Sequence, residues 1–212
     1  MVSRRVIFWE VDVQVDFMLP GGKLYVPGAE ELLPELKRLT DAARRGEVFL
    51  VSDACVHGPD DPEFQRFPPH CLRGTPGAAI VPEALAGTVL AIPNRAGAEI
   101  PLEFSGVQQI VLEKQTLDVF DNPNTEVVLE RLKHFTDADA ELVVFGVVTE
   151  YCVRCAAKGL LERGRRVSLV RDAIATLKTE DGDKALAELS GLGARMITTD
   201  EALALVKESL AQ

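Results

Sequence analysis

Short apolar runs alternate along the chain with segments in which apolar residues recur at helical spacing. The runs are typical of buried strands, and they lie at Val6–Val13, Glu47–Ser52, Gln109–Leu112, Leu142–Phe145, Val167–Val170 and Ala194–Thr198. The helical segments are Pro27–Arg45, Asn122–His134, Asp181–Leu189 and Asp200–Leu210, with Asp200 as the candidate N-cap of the last helix. This alternation predicts a single α/β domain over residues 1–212. We expect a three-layer, doubly wound, mostly parallel sheet of about six strands with helices on both faces.

The stretch around Cys152 stands out within this pattern. The run Leu142–Phe145 breaks at Gly146, and after a short turn the chain reaches Cys152 as a helical pattern begins. A cysteine at such a place lies near unpaired backbone N–H groups and the positive end of a helix, which favours the reactive thiolate. Cys152 is therefore a candidate nucleophile. With Cys155 it also forms C-x-x-C, the spacing of a redox pair or half a zinc site, but no second C-x-x-C is present.

Composition narrows the function classes. The chain has 212 residues, of which 47% are hydrophobic, and a formal net charge of −10. An acidic chain gains little from phosphate backbones, so a nucleic-acid partner is not expected. No apolar run approaches the ~20 residues of a membrane span, and the N-terminus becomes charged too early for a signal peptide. We therefore expect a cytoplasmic protein whose cysteines are thiols, metal ligands or catalysts rather than disulfides.

Four chemically active side chains follow predicted strands. Asp12, Asp53, Lys114 and Cys152 each lie at a strand's carboxyl end, where open α/β sheets bind their ligands. A carboxylate can accept the thiol proton and return it to a leaving group, and an ammonium nearby stabilises both anionic forms. These residue types predict nucleophilic catalysis at one edge of the sheet.

A long polar segment runs from Ala54 to about Pro82 and carries His57 and His70. A loop of this length inside a compact domain is usually either functional or disordered. Its Phe, His and Cys content favours the functional interpretation.

Four motifs occur in a characteristic order along the chain. They are DVQVDF (Asp12–Phe17) with the following PGGKLYVPGA, FPPHC and GTPG (within Phe67–Gly77), EKQTLDVFDNPN (Glu113–Asn124) and GVVTEYCV (Gly146–Val153). Through them the chain resembles the isochorismatase-like cysteine hydrolases, and among these it is most similar to nicotinamidases. The resemblance covers nearly the whole sequence.

The resemblance implies specific roles. Asp12 would be the general acid/base, Lys114 the orienting cation and Cys152 the nucleophile of an amidohydrolase. A cis peptide would fall at Val147–Val148, and the backbone N–H groups of Val148 and Cys152 would bind the oxyanion. The implied reaction forms a thioester with release of ammonia, after which water attacks the thioester.

The same resemblance implies a divalent metal. The family pattern is Asp-x-His with further histidines, and Asp53, His57 and His70 are its candidates here, possibly with Glu63 or Asp61 in place of an absent histidine. The spacing departs from the pattern, because Cys55 occupies the position two residues after Asp53 and His57 the position four after. Such donors suit zinc, iron or manganese.

Each of these residues also has an ordinary interpretation. Phe17 and Phe67, which would flank an aromatic substrate ring by resemblance, are equally suited to a core, and His57 to a loop hydrogen bond. Glu10 presents a problem, because side chains two apart share one face of a strand and this carboxylate should therefore lie beside Asp12. A partner arginine is the only explanation that we can offer for it.

Three hypotheses follow. The first is a metal-assisted hydrolysis of nicotinamide to nicotinate and ammonia, a step of NAD salvage. The second keeps the fold and the Asp12–Lys114–Cys152 triad but changes the substrate to another small amide, a carbamoyl compound or isochorismate. The third is a binding or redox-sensing protein on the same scaffold. Under the first two hypotheses the partner is a small molecule, and the resemblance also implies a homo-oligomer.

Overall fold

In the computed structural model a seven-stranded sheet carries helices on both faces, and every strand pair is parallel. The structure describes residues 4–134 and 136–211, apart from the side chains at 137 and 138. The predicted domain ends, residues 1 and 212, lie outside these residues. The strands are β1 (Arg4–Val11), β2 (Phe49–Cys55), β3 (Val89–Ile92), β4 (Gln109–Lys114), β5 (Thr136–Val147), β6 (Arg166–Ala175) and β7 (Arg195–Ile197). Their spatial order is β3-β4-β2-β1-β5-β6-β7.

The predicted fold class is confirmed, with seven strands instead of about six. The strand absent from the sequence prediction is β3, a four-residue edge strand in which only Ile92 is fully buried. A half-exposed edge strand of this length lacks the continuous apolar run by which buried parallel strands are recognised.

Six α-helices flank the sheet in the described part of the chain. They are α1 (Val15–Met18), α2 (Leu33–Arg44), α3 (Thr125–Leu132), α4 (Arg154–Glu162), α5 (Thr179–Gly191) and α6 (Thr199–Leu210). The predicted start of α2 at Pro27 is too early. Gly28 there has a φ of 83°, a left-handed conformation that precedes a short 3₁₀ turn, Ala29–Leu32, and the α-helix proper begins after that turn.

The N-cap predicted for α6 is also wrong by two residues. Thr198 caps the helix, and its hydroxyl and the Glu201 carboxylate form a reciprocal capping box. Asp200 lies in the first turn, where it pairs with Arg38 of α2. Both Asp and Thr are good N-caps, so only the hydrogen bonds distinguish them.

Two apolar cores lie on opposite faces of the sheet, and β1 contributes to both. Phe8 packs in one core with α2 and α6, and Trp9 packs in the other with α3 and α4. Both side chains are completely buried. A central parallel strand covered on both faces must be apolar on both, which explains the uninterrupted run Val6–Trp9.

The second strand extends three residues further than predicted. All seven residues of β2, including Ser52 and Asp53, are buried. Partners distant in sequence make this possible: Gln109 Nε2 donates to Ser52 Oγ at 2.8 Å, and Trp9 Nε1 donates to Asp53 Oδ2 at 2.8 Å. The residue at the carboxyl end of β2 is therefore Cys55.

Among the described helices, none is both long and apolar enough to cross a bilayer.

Candidate active site

Three of the predicted residues meet where their strands end. Lys114, the last residue of β4, places its Nζ 2.7 Å from Asp12 Oδ2 and 3.4 Å from Cys152 Sγ. Asp12 follows β1, and Cys152 follows β5. All three side chains are buried, with Lys114 showing no exposed surface. We call these three residues the strand-end cluster.

The backbone at Asp12 explains how its carboxylate reaches Lys114. Asp12 has a φ of 51°, so the extended conformation ends there and the two-residue alternation of side chains no longer applies. Its Oδ1 accepts a hydrogen bond from the Cys55 backbone N–H at 3.1 Å. The expectation that Asp12 and Glu10 point the same way fails for this reason.

Glu10 remains in the regular part of β1, beside Ser52 of β2. Its side chain is fully buried, and within the described residues neither carboxylate oxygen has a hydrogen-bond partner. The guessed arginine partner is therefore not found. Burial, followed by the nearby charge of Asp53, raises the pKa of Glu10 well above its usual value, so the side chain is held as a neutral acid.

Cys152 lies on a single π-helical turn, Thr149–Val153, that leads directly into α4. Such turns occur often at functional sites. The peptide bond Val147–Val148 just before it is cis, at the position the sequence resemblance implied. Gly146 precedes it with a φ of 118°, and a Cβ there would lie 2.1 Å from the Val11 carbonyl oxygen, so only glycine fits beside β1.

The charges of the cluster favour a protonated thiol at rest. A hydrogen bond with Cys55, burial and the Asp12 carboxylate raise the pKa of Cys152 well above its usual value, against the lowering effect of Lys114. The sequence had suggested a thiolate. Burial lowers the pKa of Lys114, but Asp12, the two cysteines and Asp53 outweigh it and hold the ammonium charged. Asp12 is therefore the group placed to accept the thiol proton.

Asp53, predicted as a metal ligand, is not among the donor atoms that lie together around the histidines. Its Oδ2 accepts from Trp9 Nε1, and its Oδ1 lies 3.7 Å from Lys114 Nζ. Burial raises the pKa of Asp53 to about 7, although Lys114 opposes this. Because β2 runs three residues past the predicted end, Asp53 belongs to the strand and lies near Lys114 within the sheet.

A second group of donor atoms lies beside the strand-end cluster. The ligand atoms of Cys55, His57 and His70 all lie within 4.8 Å of one another, and the three residues are buried. We call them the histidine cluster. Cys55 Sγ is also 3.2 Å from Lys114 Nζ, so this thiol joins the two clusters. The sequence contained a signal for Cys55. It lies two residues before His57, which is the spacing of the family's Asp-x-His pattern, whereas Asp53 lies four residues before His57.

Carboxylates border the histidine cluster. Asp61 and Glu63 form a further group with His57, again with ligand atoms within 4.8 Å of one another, so both alternatives proposed for the absent histidine lie at the site. The pKa of Glu63 is raised, chiefly by burial. The structure thus groups His57 with acidic side chains, and Asp53 is absent from both groups.

Backbone pairing holds the two histidines together across a long loop. The His57 N–H donates to the Cys71 carbonyl at 3.0 Å, and the Arg73 N–H donates to the His57 carbonyl at 2.9 Å. Asp16 of α1 fixes the same segment, since its Oδ2 accepts from the Cys71 N–H at 2.7 Å. Gly77 is required there, because a Cβ would lie 2.3 Å from the Asp16 carboxylate.

Aromatic rings surround His70. The ring centroids of Phe17 and Phe67 lie 5.3 Å and 6.4 Å from that of His70. Phe17 is buried and also part of the core, whereas Phe67 is partly exposed. The ring centroid of Phe64, which the sequence did not indicate, lies 5.3 Å from that of His57, and the centroid of Tyr151 lies 6.1 Å from that of Phe67. We call Phe17, Phe64, Phe67 and Tyr151 the aromatic wall.

Comparisons with known proteins identify the family of the chain. The sequence model of the isochorismatase domain matches residues 84–201, more than half of the chain. The chain is 26% identical over 210 residues to a nicotinamidase of Escherichia coli (strain K12), covering 89% of this chain and 92% of that protein. It is 28% identical over 185 residues to a nicotinamidase/pyrazinamidase of Mycobacterium tuberculosis, covering 84% and 91% respectively.

Solved structures support the fold. A pyrazinamidase of Pyrococcus horikoshii in complex with zinc superposes with a TM-score of 0.72 at 24% identity, covering 92% of this chain and 99% of that one. An isochorismatase-like hydrolase of Alkaliphilus metalliredigens superposes with a TM-score of 0.75 at 23% identity, covering 94% and 98%. The chain belongs to the isochorismatase family. It is an enzyme of the hydrolase class, consistent with cleavage of an amide C–N bond.

Proposed function

We propose that the enzyme hydrolyses nicotinamide to nicotinate and ammonia through a thioester on Cys152. The observation that carries the proposal is the meeting of Asp12 and Cys152 at one buried ammonium, with Lys114 Nζ 2.7 Å and 3.4 Å from their reactive atoms. The choice of nicotinamide is supported by nicotinamidase relatives that align over most of both chains.

The first half of the reaction uses the strand-end cluster. Asp12 takes the proton of the Cys152 thiol as Sγ attacks the carboxamide carbon, which forms the C–S bond. The raised pKa of Cys152 makes this transfer necessary, because little thiolate is present beforehand. The backbone N–H groups of Val148 and Cys152 are the proposed donors to the oxyanion. Asp12 then returns the proton to the amine as the C–N bond breaks and ammonia leaves.

The second half reverses the direction of proton flow. Asp12 removes a proton from water, which attacks the thioester carbon, and the C–S bond breaks with the proton returned to Cys152. Lys114 remains charged throughout and holds both the Asp12 carboxylate and the Cys152 sulfur against its ammonium group. The product is nicotinate, in which one carboxylate oxygen comes from the amide and the other from the attacking water.

The aromatic wall and the histidine cluster would orient the substrate. Phe67 and Tyr151 offer partly exposed ring faces to a pyridine. Burial lowers the pKa of His70, which keeps it as the neutral imidazole that metals bind. A divalent ion bound there would supply a Lewis acid for the ring nitrogen of the substrate. On this proposal the enzyme acts in cytoplasmic NAD salvage, and we expect it to self-associate.

A second candidate function is hydrolysis of a small amide or carbamoyl compound that lacks a pyridine nitrogen. The observation that favours it is the separation of Asp53 from the histidines, a departure from the family pattern at the ring-binding side of the site.

Paired substrates distinguish the two functions. We would measure ammonia release from nicotinamide and from benzamide, which differ only in the ring nitrogen. Nicotinamidase activity predicts a kcat/KM for nicotinamide at least tenfold above that for benzamide. Equal values, or turnover of neither by active-site-titrated enzyme, would reject nicotinamide as the substrate.

A further inference from the structure

The donor atoms of the histidine cluster have bonding capacity that the protein does not use. His57 is fully buried, and neither of its ring nitrogens has a hydrogen-bond partner among the described residues, although Nδ1 lies 3.0 Å from Asp61 Oδ2. A buried imidazole in this state is costly unless something else binds it. The arrangement therefore points to a ligand that accepts the lone pair of a ring nitrogen.

His70 is prepared for the same ligand. Its Nδ1 lies 2.8 Å from the Pro68 carbonyl oxygen, which fixes the proton on Nδ1. Nε2 is then unprotonated, and its lone pair is available to a metal ion. Metal-binding histidines commonly have such a backbone contact on the other ring nitrogen, because it sets the tautomer and the ring orientation.

Cys55 provides the third donor. Its Sγ lies within 4.8 Å of the ligand atoms of both histidines. Its backbone is held rigidly, since Gln14 accepts from its N–H at 2.8 Å and donates to its carbonyl at 2.7 Å. Lys114 Nζ is 3.2 Å from the sulfur, and a thiol that coordinates a metal ion is deprotonated by the metal itself. Asp53 is in neither group of clustered donor atoms, and its Oδ2 accepts a hydrogen bond from Trp9 within the sheet.

We propose that Cys55, rather than Asp53, completes the metal site with His57 and His70, and that the site selects zinc-like ions over manganese. This inference rests on the metal binding in the proposed function and concerns only its ligands. Thiolate with two imidazoles is a donor set typical of zinc, whereas carboxylate-rich sets suit harder ions. On binding, the S–H bond is replaced by a sulfur–metal bond, and the thiol proton is released to solvent.

The direct test needs no variant. Zinc-loaded full-length protein is examined by X-ray absorption at the zinc edge. We expect one sulfur neighbour at about 2.3 Å together with nitrogen or oxygen neighbours at about 2.0–2.1 Å. A shell of nitrogen and oxygen alone would overturn the proposal.

Cobalt titration identifies the sulfur. Metal-free protein is titrated with Co²⁺, and the thiolate-to-cobalt charge-transfer absorption is followed. We expect the band in the wild type, in Cys152→Ser and in the matched control Cys155→Ser, and its loss in Cys55→Ser with at least a tenfold weaker Co²⁺ affinity. A band that persists in Cys55→Ser, or disappears only in Cys152→Ser, contradicts the assignment. Circular dichroism of each variant verifies folding.

Metal competition tests the selectivity. We expect wild-type protein to bind Zn²⁺ at least 100-fold more tightly than Mn²⁺, and Cys55→Asp to narrow that ratio at least tenfold. An unchanged ratio would refute the role of the thiol. Either failure leaves the Cys152 chemistry intact, because nicotinamide hydrolysis and its loss in Cys152→Ala are measured separately.

Discussion

The two sides of the active site satisfy their polar groups in different ways. In the strand-end cluster, Lys114 pairs with Asp12 and contacts Cys152, so the charges are balanced within the protein. In the histidine cluster, both ring nitrogens of His57 are buried without a hydrogen bond to any residue that the structure describes. The first side is complete as folded, and the second is complete only with a ligand. Rigid strand ends thus supply the chemistry, and the long loop supplies the binding groups.

The largest expected effect comes from the complete side. Cys152→Ala should lower kcat/KM for nicotinamide by on the order of 10⁶, as when a hydrolase loses its nucleophile. This corresponds to about 8 kcal/mol of transition-state stabilisation. Steady-state ammonia release measures it, with Cys155→Ala, one turn further along, as a control that should remain active. Retention of activity in Cys152→Ala would reject the proposed mechanism.

Removing the shared cation should destabilise the strand-end cluster. Lys114→Met leaves the buried carboxylates of Asp12 and Asp53 without a counter-charge, and we expect a loss of about 3–5 kcal/mol in the free energy of unfolding. Urea unfolding measures the loss. Lys158→Met is the control, since its ion pair with Glu188 is partly exposed and worth under about 1 kcal/mol. Equal effects in the two variants would mean that the cluster is not an internally balanced unit.

Glu10 tests the effect on stability of a buried polar group that lies outside the candidate metal sites. No metal-capable group in the described part of the chain includes it, so here we expect only a loss of stability. Glu10→Met should raise the free energy of unfolding by about 1–3 kcal/mol at neutral pH.

The pH dependence of this gain has a definite sign. The pKa of Glu10 is raised in the folded state. As pH rises above the ordinary pKa of a glutamate, the unfolded chain releases the Glu10 proton, whereas the folded protein keeps it. The contribution of Glu10 to stability is therefore lost as pH increases. Urea unfolding at pH 5 and pH 8 should show a larger gain for Glu10→Met at pH 8, and Glu10→Gln should remove the same pH dependence. A gain that is identical at both pH values would contradict the buried neutral acid.

The smallest effect is expected at the aromatic wall of the loop side. Phe67→Ala should raise KM for nicotinamide about two- to tenfold with little change in kcat, as expected for an aromatic contact worth ~0.5–1.5 kcal/mol. Phe67→Leu keeps most of the side-chain volume, so its KM should lie between those of the wild type and Phe67→Ala. If kcat falls while KM is unchanged, Phe67 acts on the chemistry rather than on binding.

Sequence patterns predicted most of this molecule. Alternating strand and helix segments indicated the doubly wound sheet, and the ends of β1, β4 and β5 indicated where Asp12, Lys114 and Cys152 would converge. These predictions depend on local periodicity and on a general property of parallel sheets, both of which are visible along the chain.

The errors occurred where distant partners decide the outcome. Ser52 and Asp53 looked like the end of β2, but Gln109 and Trp9 donate hydrogen bonds to them inside the sheet, and Lys114 lies near the Asp53 carboxylate. That three-residue extension keeps Asp53 within the sheet and places Cys55 beside the histidines.

Local patterns in the sequence by itself thus determined the order of the elements and the types of side chain that arrive at the edge of the sheet. Only the tertiary structure decided which way those side chains face, because alternation ends where Asp12 takes a positive φ. It also decided their charge, since the pKa values of Glu10, Asp53 and Cys152 depend on burial and on neighbours far away in the chain. Desolvation and long-range contacts have no signature in local sequence, and they set the state of this site.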